Sequence, residues 1–304
     1  MSWQQKLLNP GLKLIEKRHM ANAKGPETLR KAFEFKAKFF FHAPRGTTMD
    51  WFDLGGTKAL RIGGDALNPE RVILYIHGGG HVFGSPNTHS AMLAQLAKRV
   101  GCEAILPVYP LSPEEVYPKS LNTIRTVYDG LLDQGMSASQ IVIGGDSAGG
   151  NLALALLAQL LVDKADMLAG VFAFSPLTDM TYSGASFQTN AAADVILPAE
   201  RAAEMAQMYL AGHDAMDPLV SPLFADFAGA PPVWLTVGDT EILLDDTRRL
   251  YANMKKQGVD VQMHIEHDLP HVWPIFHHLL PEARVTLDGL AGWINRRAGW
   301  ANES

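Results

Sequence analysis

The hydrophobic pattern changes character after about residue 45. From there on, short apolar and β-branched runs alternate with longer segments whose apolar residues recur at helical spacing. This alternation is typical of crossover units around a mostly parallel sheet. We predict strands at 49–53, 57–62, 72–77, 103–109, 141–145, 170–175, 232–237 and 261–266, and helices at 87–100, 113–134, 149–163, 241–257 and 282–298. The central strands are almost wholly apolar, as expected of strands that are covered on both faces.

Two segments fall outside this alternation. Residues 1–45 read as one or two amphipathic helices, with apolar residues near helical spacing and an aromatic patch at 33–41. Residues 177–230 hold one predicted helix, at 198–211, among many polar residues and prolines. We interpret this second segment as an insertion that folds over the carboxyl ends of the strands.

The composition is that of a folded globular protein. Of the 304 residues, 47% are hydrophobic and 19% are charged. No run approaches eighteen consecutive apolar residues, so we expect no membrane span. The single cysteine, Cys102, lies in an apolar run and reads as a core residue. The amino terminus lacks the pattern of a signal peptide, so we expect a cytoplasmic location.

Charge is unevenly distributed along the chain. The net charge is −6, but residues 1–45 carry ten Lys/Arg against three Glu, so this segment is +7 and the remainder is −13. A basic amphipathic segment could contact nucleic acid or an anionic lipid surface. Its basic residues are spread out and not bunched, which favours a solvated helix face and no nucleic-acid partner.

Ser147 is the first candidate for chemistry. The sequence Gly145-Asp146-Ser147-Ala148-Gly149 follows a predicted strand and opens a predicted helix, which is the context of a nucleophile elbow. Glycine at both flanks would relieve the crowding of so tight a reversal. The alternative is a glycine-rich turn whose serine only caps the helix.

A glycine run follows another predicted strand. In His77-Gly78-Gly79-Gly80, backbone N–H groups could approach a tetrahedral oxyanion without intervening side chains. Such a loop, with the N–H of Ala148, predicts an oxyanion hole. A dinucleotide loop is disfavoured because Phe83 occupies the third glycine position. A metal pair of His77 and His81 is disfavoured because three glycines oppose the helix it needs.

A serine nucleophile needs a base and a carboxylate to orient it. His271 follows the last predicted strand in a short loop, as the chain order serine, acid, histidine requires. The acid is expected after strand 232–237, where Asp245 and Asp246 read as residues of the following helix. Position alone leaves Asp239 and Glu241 open.

Several ordered motifs together resemble one family. HGGG, VYPLSPE, GDSAGG, SPLTD, EILLDD and HDLPHVW, spread over about residues 70–280, are similar to those of the hormone-sensitive-lipase-like bacterial carboxylesterases of the α/β-hydrolase superfamily. The resemblance implies an α/β-hydrolase fold with a mostly parallel eight-stranded sheet flanked by helices. It also implies a helical cap from residues 1–45 and 177–230 over a catalytic core of residues 46–176 and 231–304.

The resemblance also implies roles for individual residues. The family's acid heads a short triplet followed closely by aspartate, which here falls on Glu241, with Asp239 as the second candidate. The remaining roles are Ser147 as nucleophile, His271 as base, Gly79, Gly80 and Ala148 as oxyanion donors, and Gly78 as a residue that shapes the oxyanion loop.

These residues imply a serine carboxylesterase that needs no metal or organic cofactor. Phe83 beside the glycine loop and the aromatic segment indicate a bounded apolar pocket for short- to medium-chain esters. A trypsin-type protease is disfavoured by the order of the residues and by the single cysteine. A lactonase or amidase on the same fold stays open. A noncatalytic small-molecule receptor is a further alternative, although such receptors lack the base. Family members often form homodimers, which makes a homodimer a candidate assembly.

Overall fold

One mixed sheet forms the centre of the computed structural model, which describes residues 2–300. Its strands are β1 Thr48–Leu54, β2 Thr57–Gly63, β3 Asn68–Ile76, β4 Cys102–Pro107, β5 Ile141–Asp146, β6 Gly170–Phe174, β7 Val233–Gly238 and β8 Val261–Glu266. The spatial order is β1-β2-β4-β3-β5-β6-β7-β8. β2 is antiparallel to both of its neighbours, and the other pairs are parallel. The predicted mostly parallel eight-stranded α/β fold is therefore confirmed.

Helices cover both faces of the sheet. They are α1 Trp3–Gly11, α2 Arg18–Asn22, α3 Pro26–Phe40, α4 Pro86–Val100, α5 Lys119–Asp133, α6 Ala148–Val162, α7 Ser186–Thr189, α8 Ala199–Leu210, α9 Leu244–Lys256 and α10 Pro281–Arg297. Helices α5, α6 and α9 pack on one face, and α4 and α10 on the other. The side chains of β3 alternate between these two cores, since Leu74 and Ile76 enter the first while Ile73 and Tyr75 enter the second.

Some element bounds differ from the sequence prediction for identifiable reasons. Helix α5 begins at Lys119 and not at 113. Residues 113–118 contain two prolines, Pro113 and Pro118, which lack the N–H that a helix interior needs. Strand β3 begins four residues early, at Asn68, where its pairing with β4 is irregular and three of the four added residues are polar. The short helix α7 is a single turn, below what hydrophobic periodicity can detect.

The amino-terminal segment forms two helical stretches. A turn of π-helix, Leu12–Lys17, joins α1 to α2, and α3 follows after a break at Gly25. Among residues 2–300, no helix is long and apolar enough to cross a bilayer. Met1 and residues 301–304, the outer ends of the first and last predicted domain segments, lie outside the described residues.

Segment 177–230 is tied to the core by a buried amide. The Nδ2 of Asn151, on α6, donates to the backbone carbonyls of Leu177 (3.0 Å) and Val220 (2.8 Å). Beside it, Asp246 accepts the backbone N–H of Thr178 at 2.7 Å. These hydrogen bonds hold the start of the segment and its residue Val220 against the core.

Replacing this amide should destabilise the fold. Asn151→Ala leaves two buried carbonyl oxygens without their donor, so we expect it to lower the free energy of unfolding by about 3 kcal/mol. Urea denaturation followed by circular dichroism measures this change. The control is Gln159→Ala on the same helix, a half-buried residue whose amide oxygen has no partner among the described residues. Equal effects of the two substitutions would contradict the role assigned to Asn151.

Candidate active site

Ser147 lies in a tight reversal between β5 and α6. Its backbone is strained, with φ 52° and ψ −119°. A Cβ atom at Gly149 would lie 2.0 Å from the carbonyl oxygen of Ile76, and one at Gly145 would lie 2.4 Å from the Gly149 carbonyl. Glycine is therefore required on both sides of the serine. The reversal leaves the Ser147 side chain partly exposed at the carboxyl end of the sheet.

A cavity of about 170 Å³ opens beside this serine. Ser147, His271, Gly79 and Gly80 all lie on its wall, although they come from three distant parts of the sequence. Most of the remaining wall is apolar and is supplied by the amino-terminal helices, by α8 and by the loop after β8, including Leu29, Phe33, Met205 and Ile275. The cavity thus brings the serine, the histidine and the glycine loop together within a mostly apolar wall.

His271 is bonded to a buried carboxylate. Its Nδ1 lies 2.6 Å from Oε2 of Glu241, and the two side chains are 7% and 1% exposed. The other oxygen of Glu241 accepts hydrogen bonds from the Ser175 hydroxyl (2.8 Å) and the Gly238 N–H (2.6 Å). Both carboxylate oxygens are therefore occupied, which fixes the carboxylate and the ring it faces.

This pairing determines the protonation of the ring. Burial alone disfavours the imidazolium, but the charge and hydrogen bond of Glu241 outweigh burial and raise the pKa of His271 above its ordinary value of 6.5. The Nδ1–H directed at Glu241 leaves Nε2 as the proton-accepting nitrogen of the neutral ring. Among the described residues, no hydrogen bond joins Ser147 Oγ to this ring.

Asp239, the other candidate acid, is bonded elsewhere. Its Oδ2 lies 2.7 Å from Nδ1 of the exposed His267, and its Oδ1 accepts the Asp268 N–H at 2.8 Å. The hydrogen bond that His267 donates to Asp239, with the charge of that carboxylate, raises the pKa of His267. The structure therefore brings Glu241, and not Asp239, to His271.

The glycine loop presents backbone donors to the cavity. In the part of the chain that the structure describes, the N–H groups of Gly79, Gly80 and Ala148 have no protein acceptor. Gly79 and Gly80 have φ values of 122° and 59°, which residues other than glycine rarely adopt. The Gly78 N–H is already used, because it donates to Oδ1 of Asp146 at 3.0 Å. Gly78 thus holds the loop and offers no free donor to an oxyanion.

Asp146 is a buried anchor that the sequence analysis did not identify. Besides the Gly78 N–H, it accepts the Tyr75 hydroxyl at 2.7 Å and lies 3.4 Å from Nε2 of His89. Burial alone would raise the pKa of this carboxyl, but His89 and the hydrogen bond from Tyr75 lower it overall. A lone tyrosine within the aliphatic strand VILYI is the sequence signal that could have pointed to this contact.

Ser175 is a second contact that sequence reasoning missed. Its hydroxyl donates to Glu241 and accepts the N–H of Val272 at 3.2 Å, so it connects the carboxylate to the loop that carries His271. Ser175 follows β6 with φ 47°, at the edge of the sheet where the other site residues gather. Its sequence signals were its position directly after an apolar strand and its place at the start of the SPLTD motif.

The histidines of the glycine loop are stacked on aromatic rings. The His77 ring lies 4.3 Å from that of Tyr109, and the His81 ring lies 3.7 Å from that of Tyr209. Burial lowers the pKa of both histidines to about 3, so both rings are neutral. Within residues 2–300, no group of three or more His, Cys, Asp or Glu side chains is arranged to hold a metal ion.

Phe83 lies on the cavity wall. Its ring packs edge-on against Phe33 of α3, with centroids 5.9 Å apart. The Phe83 N–H donates to the Gly79 carbonyl at 3.0 Å. Phe83 therefore contacts both the glycine loop and the amino-terminal helices.

Comparison with known proteins gives consistent matches. A family model described as alpha/beta hydrolase fold matches residues 73–275. An esterase of Acinetobacter venetianus is 35% identical over 88% of this chain and 88% of its own length. An acetyl-hydrolase of Streptomyces hygroscopicus is 33% identical over 75% of this chain and 77% of its own. The crystal structure of an esterase from the bacterial hormone-sensitive lipase family superposes with a TM-score of 0.92 and 33% identity, covering 98% of this chain and 99% of that one.

The two histidine–carboxylate pairs can be tested independently by NMR titration of the imidazoles. Glu241→Gln removes the charge that raises the pKa of His271, so we expect that pKa to fall by about one pH unit or more while His267 is unchanged. Asp239→Asn should lower the pKa of His267 and leave His271 unchanged. A fall at His271 in the Asp239 variant would show that the acid has been misassigned.

Proposed function

The chain belongs to the bacterial hormone-sensitive lipase family of α/β-hydrolase-fold esterases, and on this basis we propose that it hydrolyses short- to medium-chain carboxylic esters through an acyl-enzyme on Ser147. Ser147 is the nucleophile, His271 the general base and Glu241 the carboxylate that orients the ring. The N–H groups of Gly79, Gly80 and Ala148 form the oxyanion hole.

In the first step the ester carbonyl carbon binds next to Ser147 Oγ. Nε2 of His271 takes the hydroxyl proton as Oγ attacks, and the carbonyl π electrons move to the oxygen. The free backbone N–H groups stabilise that oxyanion, each worth about 10²- to 10³-fold in rate. When the intermediate collapses, Nε2 returns the proton to the leaving alcohol, and the acyl group remains on Ser147.

In the second step water replaces the alcohol. His271 takes a proton from water as the oxygen attacks the acyl-enzyme, and a second oxyanion forms in the same place. Collapse breaks the bond to Oγ, His271 returns the proton to Ser147, and the carboxylic acid leaves. Glu241 stays ionised throughout and stabilises the imidazolium, which forms once in each of the two steps.

One observation carries this proposal: a strained serine, a carboxylate-bound histidine and backbone N–H groups without an acceptor among residues 2–300 share one cavity. Each feature alone has structural explanations, but acyl transfer requires all of them together. The missing hydrogen bond between Ser147 and His271 does not oppose the proposal, because such contacts often tighten only when substrate binds.

The direct test is hydrolysis of p-nitrophenyl butyrate, with lactones and amides assayed alongside. We expect turnover of the ester, and Ser147→Ala should lower it by about 10⁴-fold or more while the protein stays folded. Preferred turnover of lactones or amides would transfer the proposal to those substrates. No hydrolysis by folded wild-type protein would support a noncatalytic receptor and would overturn the proposal.

The size of the cavity predicts the range of acyl chains. At about 170 Å³ it is smaller than the range of about 300 Å³ upward that is usual for drug-sized ligands. We expect kcat/KM to peak at acyl chains of about four to eight carbons and to fall beyond them. Phe83→Ala should move the peak to longer chains, because Phe83 bounds the cavity. The control Phe35→Ala, on an exposed side chain, should not. A peak at long chains in the wild type would contradict the size argument.

A further inference from the structure

Helix α1 exposes two of its large apolar side chains to solvent and buries two of its polar ones. Trp3 and Leu7 are each 68% exposed, while Gln5 and Asn9 are 1% and 8% exposed. The buried amides are satisfied by the loop after β8, since Asn9 Nδ2 donates to the backbone carbonyl of Asp268 at 2.8 Å and Gln5 Nε2 donates to the same oxygen. Gln5 and Asn9 therefore attach the helix together with the half-buried Leu8, whereas Trp3 and Leu7 face outward.

The apolar exposure continues along the amino-terminal helices. The rings of Phe35 and Phe39 on α3 lie 4.7 Å apart and are both exposed. An ion pair between Glu16 and Lys36 joins the first helical stretch to α3. We call the exposed apolar side chains of these helices the outer helix face; they are Trp3, Leu7, Leu14, Ile15, Phe35, Phe39 and Phe40.

This concentration is unusual for a folded protein surface. The outer helix face holds seven of the fifteen large apolar side chains that are exposed in residues 2–300. Single exposed apolar residues are normal, whereas a group of this kind marks an interaction surface. We therefore expect the outer helix face to bind a partner or a surface.

The surrounding charge indicates the kind of occupant. Seven Lys and Arg side chains in residues 2–45 are exposed, at positions 6, 13, 18, 24, 31, 38 and 45. The only exposed acid in that range is Glu27, which pairs with Lys31 at 2.8 Å. Exposed aromatic and aliphatic residues bordered by basic ones are the pattern of helices that lie in an anionic lipid interface.

We propose that the outer helix face docks this protein on an anionic lipid surface. Basic side chains approach the headgroups, and Trp3, Ile15 and the phenylalanines enter the boundary with the acyl chains. The spacing of the basic residues alone favours a plain solvated face. The exposed apolar side chains change that interpretation, because moving apolar surface out of water is favourable.

Docking would place the cavity near the lipid. Other residues of the same helices, among them Leu12, Met20 and Phe33, line the cavity beside Ser147. None of the seven side chains of the outer helix face lines it. Docking is therefore separable from the proposed hydrolysis: it needs no member of the triad, and the outer residues need no contact with substrate.

A second copy of the chain is the competing occupant. A symmetric contact would bring two identical patches together, and both would come from a segment of net charge +7. Repulsion between the two positively charged segments opposes association at low salt. A lipid surface of opposite charge has no such cost, so the charges favour it.

The test is flotation of the full chain with large unilamellar vesicles. We expect binding to vesicles with about 30 mol% phosphatidylglycerol to exceed binding to pure phosphatidylcholine by about tenfold or more, and about 0.5 M NaCl to remove most of the difference. Ser147→Ala should bind like the wild type. Equal, weak flotation with both compositions would overturn the proposal, whatever the esterase assay shows.

Paired variants separate the outer helix face from general effects. Ile15→Ser with Phe39→Ser should lower binding by about tenfold, whereas Val162→Ser with Val285→Ser, at exposed sites elsewhere, should not. Lys6→Glu with Lys38→Glu should remove the preference for phosphatidylglycerol without removing any apolar group. All three pairs should hydrolyse a soluble ester like the wild type, which confirms that they fold.

Sedimentation without vesicles examines the competing occupant. A wild-type dimer that the Ile15 and Phe39 substitutions convert to monomer, with no vesicle binding, would assign the outer helix face to self-association and overturn the proposal. A wild type whose oligomeric state is unchanged by these substitutions, together with loss of flotation, would support it.

Discussion

The buried hydrogen bond between Glu241 and His271 is the interaction on which the site depends. The two residues follow neighbouring parallel strands, β7 and β8, whose carboxyl ends meet at one edge of the sheet. A buried carboxylate without partners would be strongly destabilising, and here the ring, Ser175 and Gly238 occupy both of its oxygens. The same contacts that make burial tolerable also fix the direction of the imidazole. Stability and orientation thus have one cause.

The serine and the glycine loop reach the same edge through close packing of backbone. No side chain fits at Gly149, because the helix after Ser147 starts directly against the end of β3. Asp146 then joins the two segments by accepting the Gly78 N–H beside the nucleophile. The free N–H groups of the loop are therefore held in place by a buried carboxylate of the elbow itself. Two buried carboxylates thus organise the site: Asp146 holds the glycine loop and Glu241 holds the imidazole.

Much of the fold and part of the site could be read from the sequence. Features that depend on residues close together in the sequence could be predicted. They are the alternation of strands and helices, the elbow at Ser147 and the loop position of His271. The choice between Glu241 and Asp239 depends on how the backbone turns after β7, which their spacing does not encode. Ser175 and Asp146 act through contacts between residues far apart in sequence. The burial of Gln5 and Asn9 on α1 could not be predicted from local pattern, because their backbone acceptors lie on a loop more than 250 residues away in the sequence.

Active-site labelling tests the central claim most directly. Diethyl p-nitrophenyl phosphate transfers its diethylphosphoryl group to an activated serine, and intact-mass and peptide-mass spectrometry then count and locate the label. We expect one label, on Ser147, in the wild type and in Asp239→Asn, and labelling at least about 100-fold slower in Glu241→Gln. Labelling of another residue, or equally fast labelling of Ser147 without the Glu241 carboxylate, would contradict the account.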